Sequence, residues 1–180
     1  MRITENRILA LVLCVVCALI SIFGIGGMKL KGKYNDVTEY FVEGEDERHN
    51  MEAYLDRCSE YADDLANAAK KYLVYDEEID AVLEFADELN TDKGPGGDRY
   101  YNFHALTNAV EELYTQLEIA GSYEEPDVML AYGDYQSACD LIKRDGYYEM
   151  AESYNDMVSG FPAGMIASMW GVGWADDFGR

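Results

Sequence analysis

Two histidines, four cysteines and 35 carboxylates are the residues of this 180-residue chain whose types could do chemistry. His49 lies in a charged run and His104 beside Phe103. Neither stands three or four residues from another His or Cys, as a helical zinc site would require. Cys14 and Cys17 fall inside an uncharged apolar run, where a thiol behaves as a small hydrophobe. Leu13 and Val16 precede them, instead of the small residue expected at a lipoprotein processing site. Cys58 and Cys139 are far apart in sequence and in no metal-like spacing. An oxidising compartment leaves a disulfide between them open, with two buried, reduced thiols as the other reading and the expectation. Adjacent acids such as Asp63–Asp64 and Glu77–Glu78 could serve as acid–base pairs. However, 34 carboxylates in the 147 residues after Lys33 produce such neighbours by chance. The DEEID run at 76–80 lacks the glycine and later glutamate of a calcium loop. No phosphate-cradling loop and no GxSxG turn occurs. The expected catalytic, cofactor-binding and metal sites are therefore none, and the chain reads as a non-enzyme.

The elements that would position any such residues begin with Ile8 to Gly27, ILALVLCVVCALISIFGIGG, fenced by Arg2 and Arg7 before it and by Lys29, Lys31 and Lys33 after it. Twenty apolar residues at ~1.5 Å each make about 30 Å, the thickness of a bilayer's hydrocarbon core. The run exceeds the ~7–15 residues of a signal-peptide core, so an uncleaved single-pass anchor in the cell membrane is expected. The flanking positive charges nearly balance and fix no orientation. Beyond Lys33 nine Lys and Arg face 34 acids, a net charge of −25. Such a surface repels phosphate backbones, which sets nucleic-acid binding aside. It also confines any polybasic lipid contact to Lys29, Lys31 and Lys33. The acidic, Lys-poor domain favours the outside of the cell.

After an acidic juxtamembrane run, the periodicity is helical throughout. Met51, Tyr54, Cys58, Tyr61, Leu65, Ala68 and Tyr72 step by three and four, a heptad seam held for three repeats. This helix is expected to begin near Asp36, with a weak point at Gly44. Ile79, Val82, Leu83, Phe85, Ala86 and Leu89 mark a second helix, joined to the first near Val74 by a kink or a break. The loop NTDKGPGGD follows. A third helix over 100–120 carries Phe103, Leu106, Val110, Leu113 and Leu117. A fourth starts near Pro126, with Val128, Ala131, Tyr135, Ala138 and Ile142 facing the core. Its phase slips near Gly146 and resumes at Tyr147, Ala151, Tyr154 and Val158, which predicts a bend. No stretch alternates as strands do. The expected architecture is all-α: an N-terminal anchor over 1–33, an antiparallel bundle of about four long helices over 34–162, and a short apolar segment over 163–180.

Fifteen tyrosines are unusual in a chain this size. Tyr54, Tyr61, Tyr72, Tyr114, Tyr135, Tyr147, Tyr148 and Tyr154 fall on or beside the seams, so core-edge packing is the expectation and a sticky partner face the alternative. Met165, Ile166, Met169, Trp170 and Trp174 either cap the bundle or meet the headgroup layer.

Several stretches together resemble the LemA family of membrane-anchored helical proteins. They are Tyr34-Asn35 after the anchor, ADDLANAAKKY ending at Tyr72, YYEMAESYNDMVSGFP from Tyr147 to Pro162, and the apolar segment from Ala163 to Val172. The family's Ile-Pro within the ADDLANAAKKY stretch is absent here, Lys70-Lys71 stands for its Lys-Gly, and the final helix carries few arginines. The resemblance implies a transmembrane helix with a small extracellular N-terminus and an antiparallel bundle without established enzymatic activity. The functional expectation is a scaffold or sensor that contacts an unidentified membrane or envelope protein. Two alternatives are a carboxylate-rich domain that binds divalent metal or is enzymatic, and membrane remodelling by the Trp-rich tail.

Overall fold

The structure, a computed structural model, describes residues 2–44, 49–73 and 77–178. It is all-α, with no strand among the described residues. The chain opens as one unbroken helical rod: α1 (Arg2–Ile20), a π-helical turn (Ser21–Ile25) and α2 (Gly26–Glu43). Leu9–Glu43 is long and apolar enough to cross a membrane, and no residue of its most apolar stretch is buried in the fold. No structural boundary falls at residue 33, because the same helix carries the apolar span into the folded domain. α2 then buries Leu30, Val37 and Phe41 on one stripe.

Contrary to expectation, the rod does not continue into the first heptad helix. Gly44 has φ of +53°, a left-handed backbone that only glycine adopts without cost, and its amide caps the helix by donating to the Tyr40 carbonyl. α3 (Met51–Ala69) starts afresh with Asn50, whose side-chain oxygen accepts from the Ala53 amide at 2.7 Å. The join near Val74 lies outside the described residues. α4 (Glu77–Thr91), α5 (Gly97–Ala120) and α6 (Pro126–Arg144) follow. Asp145 is extended, so α7 (Tyr147–Ser159) is a separate helix, at the slip the periodicity predicts. A turn containing the cis Phe161–Pro162 peptide leads to α8 (Ala163–Met169) and an extended tail.

These helices form two tiers. α3 packs on α4 and α6, and α4 on α5, which makes a four-helix head. α2 packs on α7 and α8, which makes a stalk between the head and the apolar span. Every position of the five seams is buried or half-buried, and the third, fourth and fifth seams are buried in full. Small residues on α3, namely Ala62, Ala66 and Ala69, let its neighbours approach closely. Between α5 and α6 the spacing is set by aromatics: Tyr114 stacks on Tyr132 at 3.8 Å, and Tyr135 donates to Thr107 at 3.3 Å.

Candidate functional site

The residues singled out for their chemistry are not gathered into one pocket. His104 lies in α5 against Tyr100 and Phe103, and burial lowers its pKa, an effect partly opposed by Asp177. His49 immediately precedes Asn50, the N-cap of α3. No group of three or more His, Cys, Asp or Glu able to hold a metal ion occurs among the described residues.

Cys58 and Cys139, 81 residues apart, are brought together where α3 faces α6. Their Sγ atoms lie 3.8 Å apart as free thiols. The pair is asymmetric. Cys58 is sealed, and its contact with Cys139 and its burial hold its pKa well above the usual thiol value. Cys139 is lowered, because its thiolate would accept from Cys58 and from Tyr135 and would feel Lys143. Cys139 also lines a cavity of about 280 Å³ with Thr107, Tyr132, Tyr135 and Lys143. This is the geometry of a thiol whose partner helps it to ionise.

At the junction of stalk and head, sequence reasoning missed a buried charge. Arg99, in the first turn of α5, is 1% exposed. Its guanidinium reaches Asp56 at 2.6 Å and Glu52 at 3.2 Å on α3, and lies over the Phe41 ring at 5.7 Å. The Nε has no hydrogen-bond partner among the described residues. Phe178, from the last described residues, enters the same junction and touches the rings of Phe41, Tyr100, Phe103 and Tyr147. Burial raises the pKa of the Tyr147 phenol there.

Three of the four stretches that carry the LemA resemblance meet on the stalk, whereas ADDLANAAKKY runs along the end of α3 in the head. Tyr34 and Tyr154, one from each Tyr-Asn pair, meet with ring centres 5.6 Å apart. Tyr154 donates to the Gly173 carbonyl at 3.0 Å, and Asn155 clamps Ala175 by giving and accepting one bond each, at 2.8 and 2.9 Å. The pair thus straps the tail along α7. Phe161 behaves differently: it is 88% exposed.

The base of the stalk holds the most specific arrangement. The Trp170 indole donates to the Phe23 carbonyl at 2.9 Å, inside the π-helical turn, where that oxygen also accepts from the Gly26 amide. Its ring lies flat on Gly27, so close that any Cβ there would fall within the indole. Ile166 touches Gly26 from the same side. Met165 and Met169 on the same short helix remain exposed, as does Trp174 further along the tail. The apolar tail therefore packs against the base of α2, at the level where the apolar run ends. Nothing in the sequence marks Gly27 as the seat of Trp170; only the glycine pair at 26–27 signals a close approach. No known family profile, curated protein or solved structure matches the chain.

Proposed function

We propose that this protein is a single-pass, membrane-anchored, LemA-like helical bundle without catalytic activity, which acts as a scaffold or sensor through protein–protein contacts. The observation that carries this reading is the end of the head farthest from the span. Around the α5–α6 turn, Ile119 is 75% exposed and Leu130 67%, with Met129 and Tyr123 also exposed. Apolar side chains gathered at one end of an otherwise strongly acidic domain mark a contact surface. A photo-crosslinker placed at Leu130 in native membranes is expected to capture one reproducible partner, whereas the same group at exposed Glu84 captures none. Equal or absent capture at both positions would remove the reading. Protease added to intact cells, with a tag after Arg180, reports the side of the membrane: loss of the tag agrees with an extracytoplasmic head and an envelope partner.

A second reading, membrane remodelling by the tail, is favoured by Met165 and Met169, exposed on α8 next to the end of the apolar run, and by the exposed Trp174 further along the tail. It requires that deletion of residues 163–180 abolish the deformation of liposomes carrying the reconstituted protein. Deformation that survives the deletion disposes of it.

A further inference from the structure

We propose that the groove between α2 and α7–α8 binds an anionic phospholipid of the membrane, its upper acyl methylenes in the groove and its phosphate at Lys29. The inference rests on the membrane anchoring put forward above. The groove has a volume of about 690 Å³, and its floor is formed by Gly26, Leu30, Met157, Pro162, Ala163 and Ile166. Apart from its rim, that floor presents carbon. Such a trough, in a chain whose residues after Lys33 carry a net charge of −25, is out of place against water, but it lies where the apolar run ends.

Three features select the occupant. First, the groove is continuous with the span: Gly26 lies within the twenty-residue apolar run and lines the groove as well. An acyl chain lying along α1 in the bilayer therefore enters it without leaving an apolar surface. Second, the rim supplies cations in a chain that is otherwise poor in them. Lys29 and Lys33 stand one turn apart on the groove side of α2, and both are exposed. Lys33 is held by Asp36 at 3.1 Å, whereas Lys29 has no ionic partner among the described residues. Third, the Trp170 indole fixes α8 against the base of α2, so the trough is built by a specific contact and does not depend on loose apposition. An ammonium stem along apolar surface, with its head reaching a phosphate, is a favourable use of a lysine at this level. Lys31, two residues on, points around the helix away from the groove and provides the internal control.

The test uses the full chain in mild detergent, with phosphatidylglycerol or phosphatidylcholine of identical acyl chains titrated in and bound lipid counted by native mass spectrometry. One phosphatidylglycerol is expected to bind at concentrations where phosphatidylcholine does not. Lys29→Glu should weaken that binding by at least about fivefold, since one lysine near anionic lipid contributes roughly that factor. Lys31→Glu, with the same change in charge, should leave it unchanged. Ala163→Trp, which fills the groove floor, should reduce both lipids. Equal binding of the two lipids, or equal losses in Lys29→Glu and Lys31→Glu, overturns the assignment. Carbonate washing of native membranes separates this failure from that of the anchor. A chain that washes off refutes the anchoring and the site together, whereas one that stays while Lys29→Glu binds as wild type refutes the site alone.

Discussion

Replacing Gly27 by alanine should undock the C-terminal segment from the anchor helix. The added Cβ would sit inside the Trp170 ring, and the ring has no room to yield without giving up its bond to the Phe23 carbonyl. Trp170 is 38% exposed, so it keeps about 150 Å² of its surface covered, worth up to ~4 kcal/mol by area. The hydrogen bond adds about 1 kcal/mol, and alanine returns about 1 kcal/mol to the helix. Because the displaced ring keeps some contact, a net local loss of about 3 kcal/mol remains. Amide exchange over α8, read by hydrogen–deuterium mass spectrometry on the full chain, should accelerate about 100-fold, while protection in α3 stays as it was. In a Trp174→Phe background the remaining indole emission should also change. Gly24→Ala is the control, since a Cβ there meets nothing within 4 Å. If both variants exchange alike, the claim that Gly27 seats Trp170 is wrong.

Other substitutions probe the remaining contacts. Tyr154→Ala, at a position 2% exposed and tied to Gly173, should cost about 3–5 kcal/mol in thermal or denaturant unfolding, whereas Phe161→Ala should leave the curve unmoved. Arg99→Ala should cost about 3–5 kcal/mol through the lost ion pairs, and failure to destabilise would mean that Glu52 and Asp56 are solvated independently of it. In a background lacking Cys14 and Cys17, alkylation should reach Cys139 before Cys58, with a pH midpoint below that of an ordinary thiol. Tyr135→Phe should move this midpoint up, and prior labelling of Cys58 would contradict the asymmetry. Burial and the neighbouring Asp64 and Asp87 raise the pKa of Asp63, so its ionisation opposes folding as pH rises through the raised value. Asp63→Asn should therefore raise the melting temperature at neutral pH, and the gain should vanish in acid, where Asp63 is already protonated.

The head was legible because its signal is local. Steps of three and four from Met51 to Tyr72 and from Phe103 to Leu117 place one face of each helix in the core, and the slip at Gly146 separates α6 from α7. What was not legible depends on partners distant in sequence. Arg99 reads as a solvated charge until Glu52 and Asp56 arrive from α3, 47 and 43 residues away. Trp170 reads as one more apolar residue until Phe23, 147 positions earlier, offers its carbonyl. The weak point at Gly44 was visible as composition, but the chain's full stop there is set by a backbone angle. Cys58 and Cys139 lay on two seams whose pairing no periodicity specifies, so the sequence could name them without joining them.

The absence of any hinge between the span and α2 has a mechanical consequence. In the membrane-anchored arrangement proposed above, a helix continuous through Glu43 acts as a lever whose inner arm, ~30 Å long, lies in the bilayer. From Gly27 to Glu43 it extends ~24 Å. A span that tilts by about 20° to match a thinner hydrocarbon layer would carry the top of the stalk sideways by ~8 Å, and the four-helix head with it. With Trp170 bracing the pivot, bilayer thickness becomes a position of the head, and any protein touching Ile119 or Leu130 would meet that surface at a place set by the lipids below.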